Sequence, residues 1–237
     1  MFIDKGKTLN LESDCGKLVT VRLQVNPRAK RLILRLDPKS GEAVAVAPSK
    51  RQLKKAAAFA RSKLAWIVEQ QNHRQKQPLK EGCIIPLRGR ACAITTEGGK
   101  RLPKLVEGDP QILQLPGAPE TLASRALRFL KQAAKEDLSK AVSVHATRLG
   151  VKPGRITIRD TRTRWGSCSA TGNLSFSWRL IMAEPHVLDY VAAHEVAHIL
   201  EMNHSAKFWA HVERTYPDWK NARDWLRANG DGLHAIG

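Results

Sequence analysis

His194 and His198 sit four residues apart within the apolar segment 186–201, and Pro185 stands where the first position of a helix would accept it. Read as an α-helix, the segment places the two imidazoles one turn apart on one side, with Glu195 one step round the axis. Both rings can then reach a single metal ion, and the Glu195 carboxylate can reach a water beside it. A third histidine, His204, follows six residues after His198. On a continuous helix His204 would lie about 120° off the face of the pair, so the three rings converge only if the helix stops first. Met202-Asn203 is the expected turn, because asparagine tolerates the left-handed backbone better than any residue except glycine. The chain must therefore form a helix, break it and return within a few residues.

Three neutral imidazoles with an open fourth position are the donor set of a catalytic zinc site. One Zn²⁺ ion is the expected cofactor, held by His194, His198 and His204. Glu201 is the rival to His204, since a carboxylate three residues after His198 could bind the ion or buttress a ligand. Metzincins share the histidine spacing, but they carry glycine where this chain has Glu201, and no Met-turn follows His204. Local charge suits a cation. Between Trp178 and Ser205 there are four acidic residues and one basic residue, Arg179, in a chain whose formal net charge is +18. Glu195 is expected to act as general base toward a water attacking a carbonyl carbon, and then to protonate the leaving amine. Ser167 and Cys168 invite a covalent mechanism, but the sequence places no second base beside them, and that reading is rejected. His145 and His186 have no spacing that ties them to the site; His211, seven residues after His204, could face the cleft.

The rest of the chain divides at Pro116-Gly117-Ala118-Pro119. Residues 1–117 hold 23 basic and 10 acidic residues, and residues 118–237 hold 17 and 12. In the first part Leu18–Val25, 31–36 and Ala43–Ala47 read as a small antiparallel meander. A helix opened by Pro48-Ser49 follows and runs to about Gln71 through Leu53, Ala57, Ala60, Leu64 and Ile67. Short strands are expected at 83–87, 91–95 and 112–115. In the second part, 119–149 is one long amphipathic helix stopped by Gly150, and 155–159 and 173–180 alternate as strands. Ser205 and Asp218 are N-caps for two final helices, the second ended by Gly230. The expected fold class is α+β: a basic, strand-rich accessory module with one helix over 1–117, then a core over 118–237 that carries the histidines.

Composition excludes several classes. Cys15, Cys83, Cys92 and Cys168 are scattered and form no CxxC pair, which argues against a disulfide framework or a thiolate zinc finger. The first ten residues lack an apolar core, and no uninterrupted apolar stretch approaches the ~18 residues of a membrane span. A cytoplasmic protein without membrane contact is expected.

The run Arg164-Trp165-Gly166-Ser167-Cys168-Ser169, a short strand, Pro185, His194-Glu195-Val196-Ala197-His198, Asn203-His204-Ser205 and Phe208-Trp209 resembles the YgjP-like metallopeptidases, relatives of the SprT-like and minigluzincin zinc proteins. The early strands and the helix bearing Ala65-Trp66-Ile67 extend the likeness over nearly the whole chain. The resemblance implies a zincin-like hydrolase core: a long helix, a small sheet, the metal-bearing helix and a downstream third histidine. It implies His194, His198 and His204 as ligands and Glu195 as base. In related folds the strand before the metal helix, here 173–180, offers its edge to an extended peptide, and Trp165 and Trp178 would line that cleft or else pack in the core. A peptide or unfolded protein is the expected substrate. The basic surface leaves two alternatives: a metal-dependent phosphoanhydride (nucleotide) hydrolase, and a DNA-associated protease tethered by its N-terminal half.

Overall fold

The computed structural model describes residues 8–13, 16, 18–37, 40–73, 77–97, 102–161 and 163–237. Cys15 and part of the 37–41 turn lie outside them. The chain forms two compact units, Met1–Gln75 and Lys76–Gly237. The division thus falls well before the expected boundary at Gly117, for a physical reason. Ile85, Leu87, Cys92, Ile94, Leu113 and Leu115 enter the same hydrophobic cluster as Leu122, Ala126 and Leu130 of the long helix that follows. The strands before Gly117 are part of the core that carries the histidines.

The first unit contains β1 (Thr8–Glu12), β2 (Leu18–Val25), β3 (Ile33–Leu36) and β4 (Ala43–Ala47), then α1 (Leu53–Ser62) and α2 (Leu64–His73). The sheet order is β1-β2-β4-β3, with β2 and β4 parallel and the outer pairs antiparallel, so it is not the simple meander that alternation suggested. β4 reads Ala-Val-Ala-Val-Ala and is buried at every position, as a central strand covered on both faces must be. Ala56, Ala60 and Ile67 pack on that sheet, and the expected single helix is interrupted at Lys63.

The second unit opens with the same strand order: β5 (Ile84–Leu87), β6 (Arg90–Glu97), β7 (Lys104–Val106) and β8 (Gln111–Pro116), arranged β5-β6-β8-β7 with only the central pair parallel. Arg88 and Gly89 both have positive φ, 51° and 76°, the geometry of a two-residue hairpin turn. This hairpin tip is an anchor. Arg88 forms a bidentate pair with Asp137, at 2.7 and 3.1 Å, and its N–H donates to the Ile181 carbonyl at 2.7 Å.

Helix α3 (Leu122–Leu149) spans 28 residues and ends at Gly150 in the left-handed conformation (φ 71°), where glycine carries no steric penalty. Three strands follow, β9 (Ile156–Arg159), β10 (Gly166–Cys168) and β11 (Leu174–Ser177), in the order β10-β11-β9. A 3-10 turn leads to α4 (Pro185–Ala197), then α5 (Ala206–Thr215) and α6 (Trp219–His234). Ser205 caps α5 by accepting from the Phe208 N–H, whereas Asp218 stands at the N-cap of α6 without a side-chain cap. Gly230 does not end α6. A Cβ there would lie 3.0 Å from the Trp165 ring, so the glycine admits the indole against the helix. No helix among the described residues is long and apolar enough to cross a membrane.

His145 ties three helices together. It is fully buried, with Nδ1 2.7 Å from Thr215 Oγ1 and Nε2 3.0 Å from Asp189 Oδ1. Its replacement, His145→Ala, leaves a cavity and an unpaired Thr215 hydroxyl, and should cost about 2–4 kcal/mol. A fall in melting temperature on the order of 5–15 °C in thermal unfolding checks this.

Candidate metal centre

Helix α4 is apolar nearly all round, with Val187, Leu188, Val191, Ala192, Ala193, Val196 and Ala197 buried. It is a core helix, and its histidines are held by packing rather than by a mobile loop. It ends at Ala197, with His198 as its C-cap. The last turn closes through Glu201 N–H to the Ala197 carbonyl at 3.1 Å.

The reversal to His204 differs from the expected one. Asn203 does not adopt positive φ. Its side chain replaces a backbone turn: Oδ1 accepts from the Ser205 N–H at 2.9 Å, and Nδ2 donates to Glu201 Oε1 at 2.6 Å. That is an Asx-type turn, which reverses the chain without left-handed strain. Glu201 is not one of the converging donors. Its carboxylate holds Asn203, and its carbonyl accepts from His198 Nδ1 at 3.0 Å. A carbonyl only accepts, so the proton sits on Nδ1, and His198 Nε2 keeps its lone pair for an ion.

His194, His198 and His204 converge, their candidate ligand atoms all within 4.8 Å of one another, and the Nε2 atoms of His194 and His204 are 3.1 Å apart. Ligand nitrogens on a tetrahedral ion with bonds of about 2.0–2.1 Å stand about 3.3 Å apart, so the His194–His204 separation is that of two ligands to one zinc ion. Phe208, fully buried, lies against all three rings, with centroid distances of 4.8, 4.4 and 4.7 Å to His194, His198 and His204. Trp209 flanks His194 and His204 and stacks on Trp219 at 4.2 Å. The Ser205 cap fixes the first turn of α5 and so sets Phe208 beneath the rings. Burial and the neighbouring imidazoles push the His194 pKa down to about 3, and burial lowers that of His198, so both rings are neutral at pH 7, as ligation requires.

Glu195 is buried, and Oε2 has no hydrogen-bond partner among the described residues. Burial pushes its pKa up to about 8, against the opposing charge of Arg164. Gly166 of β10 makes room for it. A Cβ there would lie 2.5 Å from Glu195 Oε1, so only glycine lets the carboxyl group rest on that strand. Burial raises the Cys168 thiol pKa, and so does Glu195, which keeps the thiol protonated and agrees with the rejection of a thiolate nucleophile. Cys83, Cys92 and Cys168 are all free.

Trp165 and Trp178 part company. Trp178 is fully buried, with the Arg179 guanidinium 4.5 Å from its ring centroid, so it lines no cleft. The 3-10 turn at 178–182 carries it inward, which alternation through 173–180 could not indicate. Trp165 is half-buried, stacks on His234 at 4.3 Å and borders a hollow of about 330 Å³ with Tyr190, whose ring lies 5.9 Å from that of His194. β11 is the central strand, paired on both sides, so it has no edge to offer; the outer strand beside Glu195 is β10. His186 pairs with Glu184 at 3.2 Å, and His211 is not among the converging donors. Phe208 and Gly166 act through contacts between separate elements, which residue spacing does not encode.

The buried carboxyl group has a consequence for the metal-free protein. Its folded pKa exceeds the ordinary 4.5, so its favourable contribution is complete below about pH 4.5 and is lost as the pH rises through about 8. In chelator, Glu195→Gln should therefore be more stable than wild type at about pH 8.5, by about 1–3 kcal/mol, with the gap closing near pH 4. Thermal unfolding of both proteins across that range checks it. Phe208→Ala should weaken zinc binding roughly 10–100-fold, read by competition with a chromogenic chelator.

A family model described as YgjP-like, metallopeptidase domain, matches residues 30–229. Among solved structures, the metallopeptidase zymogen of abylysin from Pyrococcus abyssi is similar at 21% identity with a TM-score of 0.37, over 39% of this chain and 93% of that one. No curated protein matches the chain. The family match runs through both compact units and most of the sequence, and the chain belongs to the YgjP-like metallopeptidase family.

Proposed function

We propose that the chain hydrolyses peptide bonds as a single-zinc metallopeptidase, with His194, His198 and His204 as ligands and Glu195 as general base. One observation carries the reading: three imidazoles converge with no fourth protein donor among the described residues, and the residue that follows the first of them in the chain, Glu195, carries a buried carboxyl group. A structural zinc site would be closed by a fourth protein ligand. When bound, the ion supplies Lewis acidity, acidifying water and stabilising negative charge on a carbonyl oxygen. Glu195 moves the proton. It accepts one from the water whose oxygen attacks the carbonyl carbon, and delivers it to the amine nitrogen as the C–N bond breaks. The Glu201 carbonyl and Phe208 keep the imidazoles oriented. An all-nitrogen donor set favours this reading over phosphoanhydride hydrolysis, which prefers oxygen ligands and magnesium.

The substrate in this reading is an extended peptide. Among the described residues β10 pairs only with β11, which leaves its outer edge beside Glu195 to add a strand. Leu200 and Met202, both exposed, supply apolar surface on the turn that precedes His204.

The test compares metal content and cleavage of unfolded casein in wild type, Glu195→Gln and His198→Ala. Wild type and Glu195→Gln should bind about one zinc per chain, and His198→Ala much less. Cleavage should fall by at least ~10²-fold in Glu195→Gln. Zinc bound without any cleavage would count against the peptidase reading, and no zinc in metal-supplied protein would count against the site. Gly166→Ala should lower kcat about 10²-fold with zinc content unchanged, because it displaces the base and not the ligands.

A further inference from the structure

Among the described residues the sheet β10-β11-β9 has a second unpaired edge, on β9, across β11 from β10. Among the described residues β9 pairs with β11 on one side only, and a groove of about 550 Å³ lies between the strand and α3. Leu127, Ile156 and Ile158, all partly buried, form the floor. The helix wall carries Arg128, Lys131 and Lys135, and no carboxylate among the described residues lines the groove. These three cations stand at i, i+3 and i+7 on one face of α3, where like charges repel. Among the described residues none of them has an ion pair or hydrogen bond.

A solvated basic face would not combine those cations with an apolar floor and a row of unmatched backbone donors and acceptors. Each feature selects something different in an occupant: negative charge, apolar side chains and an extended main chain. A nucleic acid satisfies only the first. We infer that this groove docks an extended acidic segment of another protein, added beside β9 as a fourth strand. Its carboxylates reach Arg128, Lys131 and Lys135, and its interspersed apolar side chains rest on Leu127, Ile156 and Ile158. The β10 edge beside Glu195 lies two strand spacings away, about 10 Å, so the groove is separate from the metal centre and both edges can be occupied together.

The test is fluorescence anisotropy with a labelled octapeptide of sequence Glu-Ser-Val-Ser-Glu-Ser-Val-Ser, which puts Glu and Val on the same face of a strand, the same peptide with Gln for Glu, and a single-stranded oligonucleotide. The full chain carries Glu195→Gln, so that hydrolysis cannot mimic release and binding is read whether or not the histidine site is catalytic. The Glu/Val peptide should bind at least ~10-fold more tightly than its Gln/Val counterpart at low salt. The double charge reversal Lys131→Glu/Lys135→Glu should weaken it at least ~10-fold, and Leu127→Gln about 3–10-fold, with melting temperatures near the parent's. Equal binding of the two peptides, or insensitivity to the charge reversal, would overturn the inference. Sensitivity to charge with none to Leu127→Gln would reduce the contact to electrostatics and remove the added strand. Tighter binding of the oligonucleotide, lost in the same charge variant, would reassign the groove to nucleic acid.

Discussion

The hydrogen bond from His198 Nδ1 to the Glu201 carbonyl acts on the imidazole and on the backbone at once. On the ring, it fixes the tautomer and leaves Nε2 as a free donor. On the chain, it satisfies a carbonyl just past the end of α4, where helices leave orphan acceptors. The reversal then proceeds through Asn203, whose side chain supplies one acceptor and one donor to groups two residues away on either side. Ser205 continues it by capping α5. A helix end, a turn and a helix start are joined by side-chain hydrogen bonds that each also place a ring or a residue of the site. If the helix ran on past Glu201, His204 would be carried away from the other two.

Glu195 brings the opposite problem. Its carboxyl group is buried with one oxygen unpartnered, an arrangement that works against folding when the group is ionised. The chain tolerates it because the rest of α4 is closely packed apolar surface, so the helix does not rely on the carboxyl group for stability. A divalent cation held by the adjacent imidazoles would change the balance by favouring the anion, and ligand binding to the native state adds stability by mass action. The site is therefore better suited to the metal-loaded state than to the empty one.

The centre was more legible in the sequence than its surroundings, for an identifiable reason. The two helical histidines, the adjacent carboxylate, the Ser205 cap and the Gly150 stop are all relations over a few residues on one element, which spacing encodes directly. Partnership between elements is not encoded that way. Alternation in 173–180 marks Leu174–Ser177 as a strand, but cannot say that β9 and β10 occupy both its sides and close its edges. Ala43–Ala47 likewise looks like a third strand of a meander until its complete burial shows it to be the centre of a sheet. Pro116 and Gly117 look like a domain boundary because they punctuate the chain, yet Leu113 and Leu115 on one side share a core with Leu122 and Leu130 on the other. Gly230 is a helix stop by rule and a helix interior in fact, because Trp165 requires the space. Asn203 is the intermediate case: the turn was legible, but its means was a side-chain hydrogen bond rather than a left-handed backbone.

The small sheet shows how one element can serve two environments. β10 reads Gly-Ser-Cys, and its small side chains let α4 approach until the Glu195 carboxyl group touches the strand. β9 reads Ile-Thr-Ile-Arg, and its two isoleucines face a helix that presents cations. β11 separates them and supplies Phe176, fully buried, to the core. Because side chains alternate along each strand, the face shared by Gly166, Phe176 and Ile158 is the one committed to packing, while Ser167, Ser175 and Thr157 form a hydroxyl row on the other. Residue size at β10 and neighbouring charge at β9 therefore differentiate two edges that the backbone alone would leave equivalent. A strand edge can take main-chain hydrogen bonds from any extended peptide, so what each edge accepts must be decided by the residues flanking it.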